Sequence, residues 1–259
     1  MSETLNVERR ANAAILTLNR PAKHNALSAE LLAAIDDALA ALDQDSAVRG
    51  IVITGTASVF STGADLNEAI AVQSAPEALR YLERFRATNA RIESLSKPVV
   101  AAINGFCLTG GLELSLACDL RIAGEGARFG VTSARIGSIA GAGAPQRLAR
   151  LIGPSQTKDL LMSGRIIEAA EALRIGLVDA VVGAEQVLEQ ALLRIASYAE
   201  RAPMSVWFSK LAVNTGLQMD LESALAFDRL LTTTLFSTRD RTEGMQAFLQ
   251  KRSPVFTGR

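Results

Sequence analysis

Apolar and polar positions follow two rhythms along the first part of the chain. Residues 12–19 read as a short mixed strand, with residues 4–8 as its partner. Pro21 and Asn25 break that pattern. Ser28 then stands as an N-cap before Leu31, Leu32, Ile35, Leu39 and Leu42, spaced as one face of a helix. Residues 48–54 predict a buried strand closed by Gly55, and a glycine-punctuated loop occupies residues 58–65. Residues 76–95 predict a mostly polar helix, residues 98–103 a second buried strand, and residues 110–118 a short helix. Short strands follow at 120–122 and 127–131. Strand, helix, strand, helix in this order implies crossovers and a largely parallel sheet, an α/β architecture.

Beyond residue 143 helical spacing takes over, at 146–151, 155–162, 168–173, 184–199, 203–215, 221–236 and 241–249. Only residues 178–182 interrupt it as a strand. The chain is therefore expected to have an α/β core over residues 1–195 and a helical region over 196–259. No Pro/Ser-rich linker separates the two, so the helices are expected to pack on the core or on a neighbouring subunit.

Composition narrows the possible functions. In 259 residues, 49% are apolar and 21% charged, which excludes disorder and fibrous repeats. Lys plus Arg and Asp plus Glu number 27 each, so no net field recruits nucleic acid or an anionic membrane. Aromatics at 5% leave little capacity for stacking bases. The longest uncharged run, residues 98–112, is shorter than the ~20 residues of a spanning helix. Cys107 and Cys118 both lie in apolar sequence and read as buried reduced thiols. The N-terminal residues 1–8 carry acid early and lack a long apolar core, the pattern of neither a signal nor a transit peptide. These features together predict a cytoplasmic protein with no membrane or nucleic-acid partner.

Candidate chemistry concentrates in residues 97–119 (KPVVAAINGFCLTGGLELSLACD). A buried strand ends at Asn104-Gly105 and a helix begins at Gly110-Gly111. Backbone N–H groups at such a helix start favour an anion or an oxyanion. Glu113, in the first turn, brings a carboxylate to the same place. The loop over residues 60–65 (FSTGAD) also follows a strand and can supply a second N–H. Equally, the paired glycines fit tight helix packing, and Asp65 fits a simple helix cap.

Residues 60–65 and 103–119 resemble the two signature segments of the enoyl-CoA hydratase/isomerase, or crotonase, family. The resemblance continues through residues 18–27 (LNRPAKHNAL), 127–130 (ARFG), 141–148 (GAGAPQRL), 168–178 (EAAEALRIGLV) and 243–252 (EGMQAFLQKR). It implies a spiral of ββα repeats with C-terminal trimerisation helices, assembled as a trimer or a pair of trimers. It also implies an acyl-CoA thioester substrate, with coenzyme A as part of that substrate and no separate cofactor or metal. By position, Ala64 and Gly110 would donate the oxyanion-hole N–H groups and Glu113 would be the catalytic acid/base. Ala22, Lys23, His24, Thr62, Asp65 and Leu66 would line the coenzyme A path, and Lys251 would reach a neighbouring subunit's coenzyme A. The implied reaction is hydration of a 2-enoyl-CoA. Isomerisation, another enolate reaction or acyl-CoA binding alone are the alternatives.

Three positions depart from the family pattern. Ser133 stands where the second hydratase glutamate is expected, Thr109 replaces the first glycine of a triplet, and Ala140 replaces a proline. Gly141 occupies the place of the extra acid of dienoyl-CoA isomerases. Neither the Ser133 nor the Thr132 hydroxyl titrates near neutral pH, but either can orient water. The single histidine, His24, lies in a turn suited to the surface or to coenzyme A. Ser155 and Lys158 match Ser-x-x-Lys, yet Gly153-Pro154-Ser155 reads as a helix start.

Overall fold

The computed structural model describes residues 3–259; Met1 and Ser2, part of the N-terminal stretch considered above, lie outside the described residues. Two sheets organise the core. The larger has the order β1 (Leu5–Arg10), β2 (Ala13–Leu18), β3 (Gly50–Thr54), β5 (Val99–Ile103), β7 (Leu120–Gly124), β10 (Ala180–Val182). Only β1 and β2 pair antiparallel; every other neighbour is parallel. The smaller sheet runs β4 (Val59–Ser61), β6 (Phe106–Leu108), β8 (Arg128–Gly130), β9 (Ile166–Glu168). The three central turns, β3–β4, β5–β6 and β7–β8, each place one strand in the large sheet and the next in the small one before a helix follows.

The strand runs are apolar without alternation because both faces are covered. Ile51, Val52 and Ile53 of β3 and Val99 to Ile103 of β5 are all buried, as parallel central strands require. One face packs against α1 (Ala29–Gln44), whose Leu31, Leu32, Ile35, Leu39 and Leu42 are all buried. The Ser28 hydroxyl caps α1 by accepting from the Leu31 N–H at 3.2 Å. The other face packs against α8 (Val187–Ala199), where Ala191 and Ile195 meet Ile15, Val52, Val100 and Ile122. α8 is one continuous helix across residue 195.

The remaining helices are α2 (Leu66–Ile70), α3 (Ala75–Ser94), α4 (Gly110–Ala117), α5 (Ala144–Ile152), α6 (Pro154–Ser163), α7 (Ala169–Arg174), α9 (Pro203–Gly216), α10 (Leu221–Leu235) and α11 (Arg239–Leu249). α9 is pinned to the core by Lys210, whose ammonium donates to the carbonyls of Ile92 and Lys97 and to Asp119 at 3.0 Å. α10 buries no residue of its own. None of the helices is long and apolar enough to cross a membrane among the described residues.

The small sheet is where the structure departs from the hydrophobic pattern. The loop expected over residues 58–65 contains β4, and α2 follows it directly. The region beyond residue 143 holds two strands, β9 as well as β10. β4 and β9 have three residues each, too few to display a period, whereas the equally short β10 lies within the strand expected at 178–182. Cys107 and Cys118 are buried free thiols, and burial pushes both up to about 12. Neither is a nucleophile near neutral pH.

Candidate active site

Two equivalent loops set the site. The first leaves β4 and runs through Thr62, Gly63 and Ala64 to Asp65, which caps α2 by accepting from the Asn67 N–H at 3.0 Å. The second leaves β6 at Leu108 and enters α4 at Gly110. Parallel pairing of β4 with β6 brings the loops together. The approach is close: a Cβ on Gly110 would lie 3.3 Å from the Ala64 nitrogen. Gly63 adopts φ 104°, and a Cβ there would come within 2.9 Å of the Gly110 nitrogen. Neither the Ala64 nor the Gly110 N–H meets a hydrogen-bond acceptor among the described residues.

A third segment is stitched to the first loop. The Leu27 N–H donates to the Gly63 carbonyl at 2.7 Å, and the Asp65 N–H returns to the Leu27 carbonyl at 3.1 Å. Buried Asn25 donates its amide to the carbonyls of Val59 and Phe60 and accepts from the Arg20 N–H. Arg20 reaches Asp65 with its guanidinium at 2.9 Å. This lattice holds Ala22, Lys23 and His24 as an exposed rim beside the loop.

Glu113 is only 3% exposed. Its Oε1 accepts from the N–H groups of Ala142 at 2.8 Å and Ala144 at 2.9 Å. The Ala142 carbonyl is itself held by the Asn89 amide and the Arg147 guanidinium. Burial pushes the Glu113 carboxyl up; the N–H groups of Ala144, Ala142 and Gly143 and the charge of Arg147 pull it partly back. The outcome lies above the ordinary value of 4.5. Such a group is suited to carry a proton either way.

These parts meet in one cavity of about 570 Å³. Of the residues singled out in the sequence, Ala22, Lys23, His24, Thr62, Ala64, Asp65, Leu66, Gly110, Glu113 and Ser133 all line it. Ser133 opens a 3-10 turn (Ser133–Ile136), is nearly buried, and its hydroxyl has no hydrogen-bond partner among the described residues. Lys251 does not line the cavity; it lies in the turn after α11. Ser155 and Lys158 are exposed on α6, away from the cavity lining.

Sequence reasoning missed several walls of the cavity. Tyr81, Leu82 and Phe85 reach it from α3, and Ile136 and Ile139 from the far side. Asn89 and Arg147, which fix the loop holding Glu113, were also missed. Arginine and asparagine on helices carry no signal until the loop they hold is known.

Comparison with known proteins agrees with this arrangement. The sequence profile described as Enoyl-CoA hydratase/isomerase matches residues 8–259. A Rhizobium meliloti protein described as "Probable enoyl-CoA hydratase" is 42% identical, over 99% of both chains. The 2,3-dehydroadipyl-CoA hydratase of Escherichia coli is 40% identical over the full length of both. The crystal structure of an enoyl-CoA hydratase from Bacillus anthracis superposes with a TM-score of 0.94 at 37% identity, covering 99% of this chain and all of the other. From its strand spiral to its paired glycine loops, the chain belongs to the enoyl-CoA hydratase/isomerase family.

Proposed function

We propose that the protein hydrates a 2-enoyl-CoA thioester to the 3-hydroxyacyl-CoA. The observation that carries this reading is the meeting, in one cavity, of two backbone N–H groups lacking acceptors and a buried carboxyl with a raised affinity for protons. In this scheme the thioester oxygen lies between the Ala64 and Gly110 N–H groups. Glu113 removes a proton from water as its oxygen bonds to C3, and the electron pair of the C2–C3 bond moves into a thioester enolate. The two N–H groups stabilise that charge as it develops. Glu113 then returns the proton to C2, so the elements of one water are added and nothing is oxidised or reduced. Oε1 is already engaged by Ala142 and Ala144, which leaves Oε2 for the proton transfers.

Ser133 orients the attacking water in this reading. Lys23 and His24 on the rim, with Ala22, Thr62, Asp65 and Leu66, accommodate coenzyme A, and Lys251 serves a neighbouring subunit's site. Coenzyme A arrives with the substrate, with no other cofactor, and the setting is cytoplasmic. The last three helices form the oligomerisation region of a trimer or a pair of trimers. A second reading, isomerisation, is favoured by one observation: Ser133 leaves a single titratable acid among the residues proposed for the chemistry, enough to move a proton between C2 and C4. Turnover of 2-enoyl-, 3-enoyl- and 3-hydroxyacyl-CoA thioesters, followed by mass and by chromatographic separation of the enoyl isomers, separates the two. Hydration adds one water; isomerisation leaves the mass unchanged. A parent protein that changes none of them would overturn both.

A further inference from the structure

Thr109 adopts φ 45° and ψ −110° immediately before Gly110. A β-branched residue is strained there, and glycine is the residue that fits. Such strain persists only where the surroundings over-determine it, and it gathers at functional sites.

The reason for threonine lies in where its backbone points. The pairing of β6 with β8 carries on one step beyond Leu108, with the Thr109 N–H donating to the Gly130 carbonyl at 2.8 Å. The Thr109 carbonyl then turns into α4, where it accepts from the Glu113 N–H at 2.9 Å. That turn removes it from β8, so the Thr132 N–H loses the acceptor a continued ladder would supply. The Thr109 hydroxyl takes over: its Oγ1 accepts from the Thr132 N–H at 3.1 Å and shares a second hydrogen bond with the Thr132 hydroxyl, also 3.1 Å. Thr132 has no other cap to offer the 3-10 turn that begins at Ser133.

We propose that Thr109 is a positioning residue, a side-chain clasp that sets Ser133 against the start of α4, where Gly110 and Glu113 lie. A serine hydroxyl is short and must be held close to its target by the backbone. The clasp supplies that hold, and the strained backbone of Thr109 is retained because glycine would leave the Thr132 N–H without this acceptor. The inference rests on the reading that Glu113 and Gly110 act on an acyl-CoA thioester.

The test compares Thr109→Val, Thr109→Ser and Thr109→Gly with the parent, using the full chain and its best thioester substrate, with Glu113→Gln in parallel. Valine keeps the shape and the backbone strain but not the hydroxyl. It is expected to lower kcat roughly tenfold or more, with KM nearly unchanged and melting temperature close to the parent. Serine restores the acceptor and should recover most of that loss. Glycine relieves the strain yet should lose kcat as valine does. Full kcat in the valine variant, or serine no better than valine, overturns the clasp. Should valine not fold, full kcat in the glycine variant does the same. If Glu113→Gln keeps full turnover, the underlying reading fails and takes the clasp with it. If Glu113→Gln is inactive while Thr109→Val is not, the clasp alone fails.

Discussion

The Arg20 guanidinium lies 2.9 Å from the Asp65 carboxylate, and both groups are largely withdrawn from solvent. This pair ties the turn before α1 to the loop carrying Ala64. Burial alone would raise the Asp65 carboxyl; Arg20, the Asn67 N–H and Lys23 outweigh it and hold it below 3.8.

Asp65→Asn retains a good helix cap while removing the charge. It leaves Arg20 without its counter-charge and is expected to cost about 3 kcal/mol of stability, less if water reaches the guanidinium. Arg20→Met should cost a similar amount, and the double variant less than the sum of the two. Chemical denaturation of the four proteins measures the coupling; strict additivity would show that the pair does not act as a unit. The sign with pH follows from the lowered carboxyl. Its stabilisation is present above the ordinary 3.8 and is lost as pH falls through the lower folded value.

Glu113→Gln preserves size and an acceptor for the Ala142 and Ala144 N–H groups. Turnover is expected to fall by about 10²-fold or more, with substrate affinity largely kept. Stability should move the other way. A carboxyl raised above 4.5 in the folded state binds its proton more tightly there than in the unfolded chain, so its ionisation costs stability as pH rises past 4.5. The glutamine variant should therefore melt higher than the parent at neutral pH, with the gap closing below 4.5. Equal melting temperatures at all pH values would show that burial does not govern this group.

Some of this was legible in the sequence and some was not, for identifiable reasons. β3 and β5 announce themselves as unbroken apolar runs because both of their faces are covered. α1 is visible from Ser28 and the spacing of five apolar residues. β4, β6 and β9 stay hidden, since their three residues show neither alternation nor a run and each leads straight into a loop or helix signal; β8 and β10, equally short, sit inside longer strand-like stretches at 127–131 and 178–182. The same holds within the site. Glu113 stands out as a carboxyl beside paired glycines. What holds it, the N–H groups of Ala142 and Ala144, is backbone and leaves no trace in residue identity. Ala64 and Gly110 are likewise proposed for their N–H groups rather than their side chains; the paired glycines point to the start of α4, while only the family pattern picks out Ala64. Tyr81, Leu82 and Phe85 escape notice because α3 reads as a polar surface helix.

Gly110→Pro deletes one proposed donor at the first position of α4; because the ring presses on Ala64 and on the Thr109 backbone, its melting temperature is measured alongside. It should lower kcat by about 10²–10³-fold. A ground-state analogue should bind nearly as before, because the donor acts mainly on charge that develops in the transition state. Equal losses in analogue binding and kcat would place Gly110 in uniform binding instead.

Ser133→Glu introduces a second carboxyl into the cavity that Glu113 lines. If the 3-10 turn admits the longer side chain, hydration of a short 2-enoyl-CoA is expected to rise. Ser133→Ala, by contrast, should slow hydration without affecting coenzyme A binding. Steady-state kinetics on both variants check this; an alanine variant as fast as the parent would remove Ser133 from the mechanism.

The exposed apolar residues Leu225, Leu230, Phe236, Phe248 and Leu249 lie on α10 and α11 or, for Phe236, at the end of α10. An exposed apolar set of this kind marks an association surface. Light scattering at micromolar concentration should give three or six times the chain mass. A monomer would refute the assembly, and Leu230→Lys with Phe248→Lys should shift a trimer toward smaller species.

The pairing of β4 with β6 bears on how freely this family can change its chemistry. Adjacent strands of any sheet lie about 4.7–4.9 Å apart, a spacing dictated by peptide hydrogen bonds and not by side chains. Ala64 and Gly110 each follow one of these two neighbouring strands by a few residues. Their separation is thus set by backbone, through the strand pairing and the close approach of the two glycine loops. Side chains around it can be exchanged while the spacing between the two N–H groups stays the same. Altering that spacing would require β4 and β6 to pair anew, and β4 is buried along its whole length. The side chains lining the cavity can therefore vary, whereas the spacing of the two N–H groups is a property of the backbone.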